Sequence, residues 1–285
     1  MLSFPSSSLV TTAWLANRLG DTGLVILDTS WYLPNTGRNA REEYRAGHIP
    51  GAAYFDLDAA SDTSSSLPHM LPSDMEFGRY AGSLGVQNES GVVVYDGSGG
   101  NLSAARAWWM FRAFGHGRVA LLDGGFGKWR AEGRPVQTGE IGRASRTFRA
   151  RLDRQRVRDL DGVQRALAGG EAQVVDMRPA ARFAGSEPEP RPGLSSGHMP
   201  GALNLPYTEL VGSDGSMLSE DALRAKLIAA GIRLDSPLIA TCGSGTSACN
   251  LLLALQRLGC DDTSLYDGSW TEWAGRGMPI QRDAV

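Results

Sequence analysis

Short apolar runs alternate with longer segments of helical periodicity along this chain. The apolar runs at 24–28, 92–95 and 237–241 are too short for helices, and they indicate buried strands. Helical periodicity covers 104–114, 160–168, 221–230 and 247–258. This alternation predicts an α/β fold in which a mostly parallel sheet is flanked by helices.

Four sequence blocks occur twice in the same order. The GHIPGA block at 47–52 reappears as GHMPGA at 197–202. The strand that leads into Asp96 likewise reappears as one that leads into Cys242, and the offset between equivalent positions drifts only from 150 to 144 along the chain. A duplication of this kind predicts two tandem domains with the same fold.

The boundary between the predicted domains lies where apolar periodicity is lost. Residues 137–157 are rich in Gly, Ser and Arg, and they indicate an exposed linker. We therefore predict a first domain at 8–136 and a second at 158–285. The arginines at 143–158 resemble a nucleic-acid patch, but we interpret them as part of the solvated linker.

Composition limits the classes of function. The chain has 285 residues and a net charge of −3, so its overall charge does not favour nucleic acid or an anionic membrane as a partner. No apolar run approaches the roughly 20 residues that span a bilayer. The four histidines are scattered and no Cys or His pair has metal-ligand spacing, so we expect neither a metal nor a cofactor. Three cysteines do not make a disulfide framework and favour the reducing cytoplasm.

The candidate chemistry lies directly after the strand at 237–241. Cys242 emerges at the carboxyl end of that strand, where open α/β sheets place their sites. Gly243 and Gly245 allow a tight loop with inward N–H groups, and a helix is predicted to start near Thr246. A thiol at a helix N-terminus is more readily ionised than a free thiol, so this loop suits a nucleophile or a persulfide anion.

Two other interpretations of this cysteine are weaker. A free cysteine is often only a small buried apolar residue, but the glycine-rich loop argues against that here. A cysteine phosphatase needs an arginine that closes the loop around phosphate, and no arginine lies between Cys242 and Gln256.

The doubled GHxPGA block, the CGSGxxA loop and the DGSWxEW segment resemble the two-domain rhodanese and mercaptopyruvate sulfurtransferase family. The resemblance covers about Val10 to Pro279. It implies two rhodanese domains, of which only the second is catalytic, since Asp96 stands in the first where a cysteine would be needed. It further implies a persulfide on Cys242 and a thiol acceptor such as thioredoxin, or cyanide in a test tube.

The resemblance also indicates a sulfur donor. Thiosulfate enzymes of the family typically place Arg and Lys after the cysteine, whereas Gly243 and Ser244 stand here, as in the mercaptopyruvate enzymes. The segment from Arg182 to Arg191 resembles the family's RFxGxxPEPR motif, whose arginines are associated with the substrate carboxylate and ketone. The planar guanidinium group suits a carboxylate. The loop departs from the family's CGSGVTA pattern, because Thr246 and Ser247 replace Val and Thr. We expect the donor to be bound by the two arginines together with Gly243, Gly245, Thr246 and Ser247.

The implied mechanism needs a proton donor for the pyruvate enolate. We expect Ser244 to supply that proton with help from His48. His48 and His198 also have a structural interpretation, since each lies in a turn that leads into a strand. No acidic partner for His48 is evident, because Asn39 stands where an aspartate is expected.

Two other functions stay open. A thiosulfate:cyanide sulfurtransferase would turn over thiosulfate at least as well as mercaptopyruvate. A non-catalytic persulfide-relay module would turn over every small donor slowly and would form a stable complex with a partner protein.

Overall fold

In the first half of the chain, the described residues form five strands and five α-helices in strict alternation. The structure is a computed structural model that describes residues 4–283. The strands are β1 (Leu9–Val10), β2 (Leu24–Asp28), β3 (Ala53–Tyr54), β4 (Gly91–Tyr95) and β5 (Val119–Leu122). The helices are α1 (Thr12–Ala16), α2 (Ala40–Ala46), α3 (Asp74–Ser83), α4 (Leu102–Ala113) and α5 (Gly125–Ala131). All five strands are parallel, in the order β1-β5-β4-β2-β3.

The second half repeats this arrangement element by element. Its strands are β6 (Val157–Arg158), β7 (Gln173–Asp176), β8 (Leu203–Asn204), β9 (Leu238–Thr241) and β10 (Thr263–Tyr266). Its helices are α6 (Leu160–Gly169), α7 (Ala180–Ala184), α8 (Glu220–Ala229), α9 (Cys249–Arg257) and α10 (Ser269–Gly275). The parallel order is β6-β10-β9-β7-β8, which matches the first sheet strand for strand.

The predicted α/β class and the duplication are confirmed, and both sheets are entirely parallel. Every residue of β2 and β4 is buried. A parallel sheet covered on both faces requires such continuous apolar strands, and this is why the short apolar runs identified them.

Equivalent tryptophans lie in the core of each sheet. Trp129 packs in the first core with Ile26 and Val93, and Trp273 packs in the second with Ile239. Each indole N–H is satisfied by a backbone carbonyl, since Trp129 Nε1 donates to Pro135 O and Trp273 Nε1 to Pro279 O, both at 2.8 Å.

The predicted linker at 137–157 is divided between two compact units of the chain. Residues 71–153 belong to the first unit, and residues 154–211 to the second. Phe148 explains this division, because its ring is buried against Phe77 and Phe111 of the first unit, with both pairs of ring centroids 6.1 Å apart. Phe148 therefore anchors the stretch before Arg154 to the first unit, while the other residues of 137–153 are exposed or half-buried.

Each unit also includes six residues from the other half of the chain. Residues 65–70 belong to the second unit and residues 212–217 to the first. These exchanged segments are 147 positions apart, within the range of offsets that separates the repeated blocks. In the first unit, Asn101 Nδ2 donates to Gly215 O at 3.2 Å, and Lys128 Nζ pairs with Asp214 at 2.8 Å. The exchanged segment 212–217 is thus held by the loop that follows β4 and by α5.

Candidate active site

The loop that follows β9 places Cys242 at the carboxyl end of a fully buried strand. The cysteine is 2% exposed, and Ser244, Thr246 and Ser247 are also buried. Gly245 has a φ of +74°, in the left-handed region that favours glycine. The chain therefore turns sharply within three residues of the cysteine.

Helix α9 begins at Cys249, so the prediction of a helix start near Thr246 was wrong by three residues. The residues before it form tight i to i−3 turns, in which Cys249 N donates to Thr246 O and Asn250 N to Ser247 O. Neither hydroxyl side chain caps the helix, and the hydroxyl of Thr246 instead faces a histidine ring.

Residues at the start of α10 form hydrogen bonds with the backbone of the cysteine loop. Trp270 N donates to Cys242 O, and both the N–H and the hydroxyl of Thr271 donate to Gly243 O, at 3.0, 3.0 and 2.7 Å. Cys242 N in turn donates to Ser269 Oγ at 3.4 Å. The DGSWxEW segment recognised in the sequence therefore fixes the backbone of the cysteine loop.

Two arginines converge on this loop from the segment after α7. A Cβ placed on Gly243 would lie 3.3 Å from Arg182 Nη2 and 3.7 Å from Arg191 Nη1. Arg191 Nη2 also donates to Ser244 Oγ at 3.3 Å. Both guanidinium groups therefore lie beside Gly243. A side chain at this position would come into close contact with them.

A chain of buried charges lies behind Arg182. Asp176, at the end of β7, binds the guanidinium of Arg178 with contacts as short as 2.6 Å, and Arg178 also stacks on Trp270 at 4.2 Å. Glu189 accepts from both Arg178 and Arg182. Burial disfavours the charged form of Arg178, but the two carboxylates outweigh it, so the pKa of Arg178 lies above its ordinary value.

The structure adds a histidine that the sequence analysis did not identify. His69, in the exchanged segment 65–70, has its Nδ1 atom 3.0 Å from both Ser244 Oγ and Thr246 Oγ1. Its ring is buried, and its backbone has a φ of +61°, which is uncommon for a non-glycine residue. A strained backbone that aims a buried imidazole at two hydroxyls is typical of a functional position.

The other two repeated histidines have closely matching surroundings. His48 Nδ1 lies 2.9 Å from Tyr44 O and its ring stacks on Tyr44, while His198 Nδ1 lies 2.9 Å from Phe183 O and stacks on Phe183. Each histidine also forms an antiparallel bridge, His48 with Gln137 and His198 with Gln281. The described contacts of the cysteine loop bring together Cys242, Ser244 and the two arginines, whereas those of His48 lie within the first unit.

Asn39, where an aspartate was expected beside His48, has a local role. Its side chain accepts from Glu42 N at 3.2 Å and caps the start of α2. Asparagine is a strong N-cap residue, so this position contributes to the helix.

The equivalent loop of the first unit surrounds a carboxylate with backbone N–H groups. Asp96 stands in the place of Cys242, and its carboxylate accepts from the backbone N–H groups of Ser98, Ser103 and Ala104 at 2.8 to 2.9 Å. The first loop therefore surrounds an anion with backbone donors, and that anion is its own side chain.

Between residues 4 and 283, no group of three or more His, Cys, Asp or Glu is arranged to hold a metal ion. Over the same residues, no helix is long and apolar enough to cross a membrane.

Comparisons with known proteins agree with the duplicated fold. The Rhodanese-like domain matches this chain twice, at residues 11–132 and 159–276. The rat 3-mercaptopyruvate sulfurtransferase is 45% identical over 277 residues, which cover 95% of this chain and 93% of the rat protein. The thiosulfate sulfurtransferase of Cricetulus griseus is 43% identical over 281 residues, with 96% and 94% coverage.

A solved structure agrees as well. SseA from Escherichia coli, described with the 3-mercaptopyruvate sulfotransferases, superposes with a TM-score of 0.85 at 39% identity, covering 93% of this chain and 99% of SseA. The two groups of relatives carry different donor names at nearly equal identity, so overall similarity does not choose between the donors.

Proposed function

Because this chain belongs to the rhodanese family of sulfurtransferases, we propose that it moves sulfur from 3-mercaptopyruvate to a thiol acceptor through a persulfide on Cys242. We base the choice of donor on the two guanidinium groups that lie beside Gly243. Two arginines with no charged side chain in the loop itself suit a keto acid, whose carboxylate and ketone both accept hydrogen bonds.

The first half-reaction starts when Arg182 and Arg191 orient the donor with its sulfur toward Cys242. The Cys242 thiolate attacks that sulfur, so an S–S bond forms and the bond between sulfur and C3 of the donor breaks. The electron pair of the broken bond goes to the carbon fragment, which leaves as the enolate of pyruvate. The enolate then takes a proton at C3.

The proton for the enolate comes from the pair formed by Ser244 and His69. The hydroxyl of Ser244, two residues after Cys242, lies 3.0 Å from His69 Nδ1, within hydrogen-bonding distance. We assign the relay to His69 in preference to His48, because the contacts of His48 match those of His198 in the other repeat. A histidine whose setting recurs in both halves is better explained by the turn that both halves share.

The second half-reaction returns Cys242 to its thiolate. A thiol acceptor attacks the outer sulfur of the persulfide, that sulfur is transferred, and Cys242 leaves as the thiolate. Thioredoxin is the acceptor we propose, with cyanide as a substitute in assays. No disulfide joins the three cysteines in the described part of the chain, which fits a reducing compartment, and we propose the cytoplasm.

Thiosulfate is the second candidate donor, since relatives named for it are 43% identical to this chain. The donors are separated by kcat/KM for each, measured with one acceptor. We expect the ratio of 3-mercaptopyruvate to thiosulfate to exceed about tenfold, because the loop itself adds no positive charge for a dianion. A ratio below one would assign the protein to thiosulfate, and slow turnover of both donors would favour a persulfide relay.

A further inference from the structure

We propose that Glu189 is a specificity-determining residue, which offsets the charge of Arg182 and so makes the site select a monoanionic keto acid over a dianionic sulfur donor. The inference rests on the proposed function, because it concerns which donor reaches Cys242.

Glu189 is held in one position by two arginines. Its side chain is 2% exposed, and its Oε1 accepts from Arg178 Nη1 at 2.7 Å and from Arg182 Nε at 3.3 Å. Its Oε2 pairs with Arg182 Nη2. Arg182 is 15% exposed, so one side of its guanidinium is bound by the carboxylate while the group also reaches Gly243.

Arg178 has other partners that offset its charge. Asp176 contacts Nε and Nη2 of Arg178, and Gly197 O accepts from Nη2 at 2.7 Å. The Asp176–Arg178 pair is therefore neutral by itself. Glu189 is the second carboxylate of the network, and it offsets the charge of Arg182. Two carboxylates and two guanidinium groups together carry no net charge.

Because Glu189 offsets the charge of Arg182, the site discriminates between donors by their charge. Arg182 can offer a donor carboxylate or ketone those N–H groups that do not point at Glu189, while the nearby Glu189 charge repels any anion that enters. Coulomb energy is proportional to the charge of the ligand. The repulsion between Glu189 and a dianion such as thiosulfate is therefore twice the repulsion between Glu189 and a monoanion at the same distance. Because Glu189 is buried, solvent and salt screen the effect less than they would at the surface.

The test is the variant Glu189→Gln, which removes one negative charge and keeps the size of the side chain. We expect kcat/KM for thiosulfate relative to that for 3-mercaptopyruvate to rise about tenfold, mainly through a lower KM for thiosulfate. The matched control is Glu187→Gln, which removes the same charge from an exposed position two residues earlier. The control should leave the ratio within about twofold of the wild type, because an exposed charge is screened.

A second variant keeps the inference falsifiable if Glu189→Gln folds poorly. Glu189→Asp retains the charge but withdraws it by one methylene group, so the ratio should move in the same direction by a smaller factor. Equal losses with both donors in either variant would mean that Glu189 only supports the fold, and would overturn the inference. Failure of the proposed function is distinguishable, because the wild type itself would then form no persulfide with 3-mercaptopyruvate or would use thiosulfate more efficiently, before any change at position 189.

Discussion

Asp28 and Asp176 lie at the ends of equivalent strands, but the two carboxylates have different neighbours. Asp176 binds Arg178, whereas in the first unit the position two residues after Asp28 is Ser30, whose N–H donates to Asp28 Oδ1 at 3.0 Å. Burial raises the pKa of Asp28 to about 6, with a smaller contribution from the charge of Asp96. The first unit therefore contains an ionisable group that destabilises it when ionised.

Asp28→Asn should stabilise the protein at neutral pH. The pKa of Asp28 is about 6 in the folded chain against an ordinary 3.8, so stability is fully present below pH ~4 and is lost as pH rises through about 6. Two units of pKa correspond to about 3 kcal/mol. We expect denaturant titration to show this gain in the free energy of unfolding at pH 8 and none at pH 4.

The matched control for this variant is Asp176→Asn. Removal of that carboxylate leaves Arg178 with one charged partner fewer, and breaking a buried ion pair costs about 3–5 kcal/mol. The two equivalent substitutions should therefore act in opposite directions at pH 8. A loss of stability in Asp28→Asn at that pH would contradict the account.

His69→Asn should slow the release of pyruvate from 3-mercaptopyruvate about a hundredfold, because a positioned general acid contributes at least that factor. Asparagine keeps a polar group near Ser244 but cannot donate a titrating proton. Single-turnover kinetics measure the effect. His48→Asn is the control and should change the rate less than about threefold. A large loss in His48→Asn with normal turnover in His69→Asn would return the relay to His48.

At the scale of elements, the cysteine loop depends on one glycine in a left-handed conformation. Gly245, with a φ of +74°, allows the chain to turn from β9 into the tight turns that precede α9. The later start of the helix leaves the hydroxyls of Ser244 and Thr246 facing His69. The geometry of the loop therefore determines which groups surround the cysteine.

Gly245→Ala should weaken both the fold and the reaction. A Cβ in the left-handed region costs about 1–2 kcal/mol, so we expect a loss of that size in the free energy of unfolding and slower persulfide formation. Gly275→Ala in α10 is the control, since a Cβ there would meet no atom within 4 Å. Stability and rate that are equal in the two variants would show that the loop does not require a left-handed residue.

The exchanged segments are a feature of the whole molecule. Segment 65–70 carries His69 to the cysteine loop of the second unit, and in segment 212–217 of the first unit Gly215 O accepts from Asn101 Nδ2. Each loop that follows a central strand is thus contacted by residues from the other half of the chain. Among residues 4–283, it is the loop of the second unit that has both a cysteine, Cys242, and a contacting histidine, His69.

Much of the architecture could be predicted from the sequence, because each strand–loop–helix unit occurs in both halves and the two occurrences support each other. The cysteine loop and the two arginines were also accessible, since they lie in recognisable motifs. His69 was not, because it lies 175 positions before Ser244 and the residue 147 positions after it, Ser216, is not a histidine. Residues 137–157 are exposed or half-buried apart from Phe148, whose burial could not be predicted because a single apolar ring gives no periodic signal.

The central claim is that Cys242 carries the transferred sulfur, and the mass of the intact protein tests it most directly. Wild-type protein incubated with 3-mercaptopyruvate and no acceptor should gain the mass of one sulfur atom, located on the peptide that contains Cys242 and removed by a thiol. Cys260→Ser should behave in the same way, and Cys242→Ser should gain no sulfur and release no pyruvate. Turnover by Cys242→Ser, or a wild type that releases pyruvate with the sulfur held on another residue, would contradict the account.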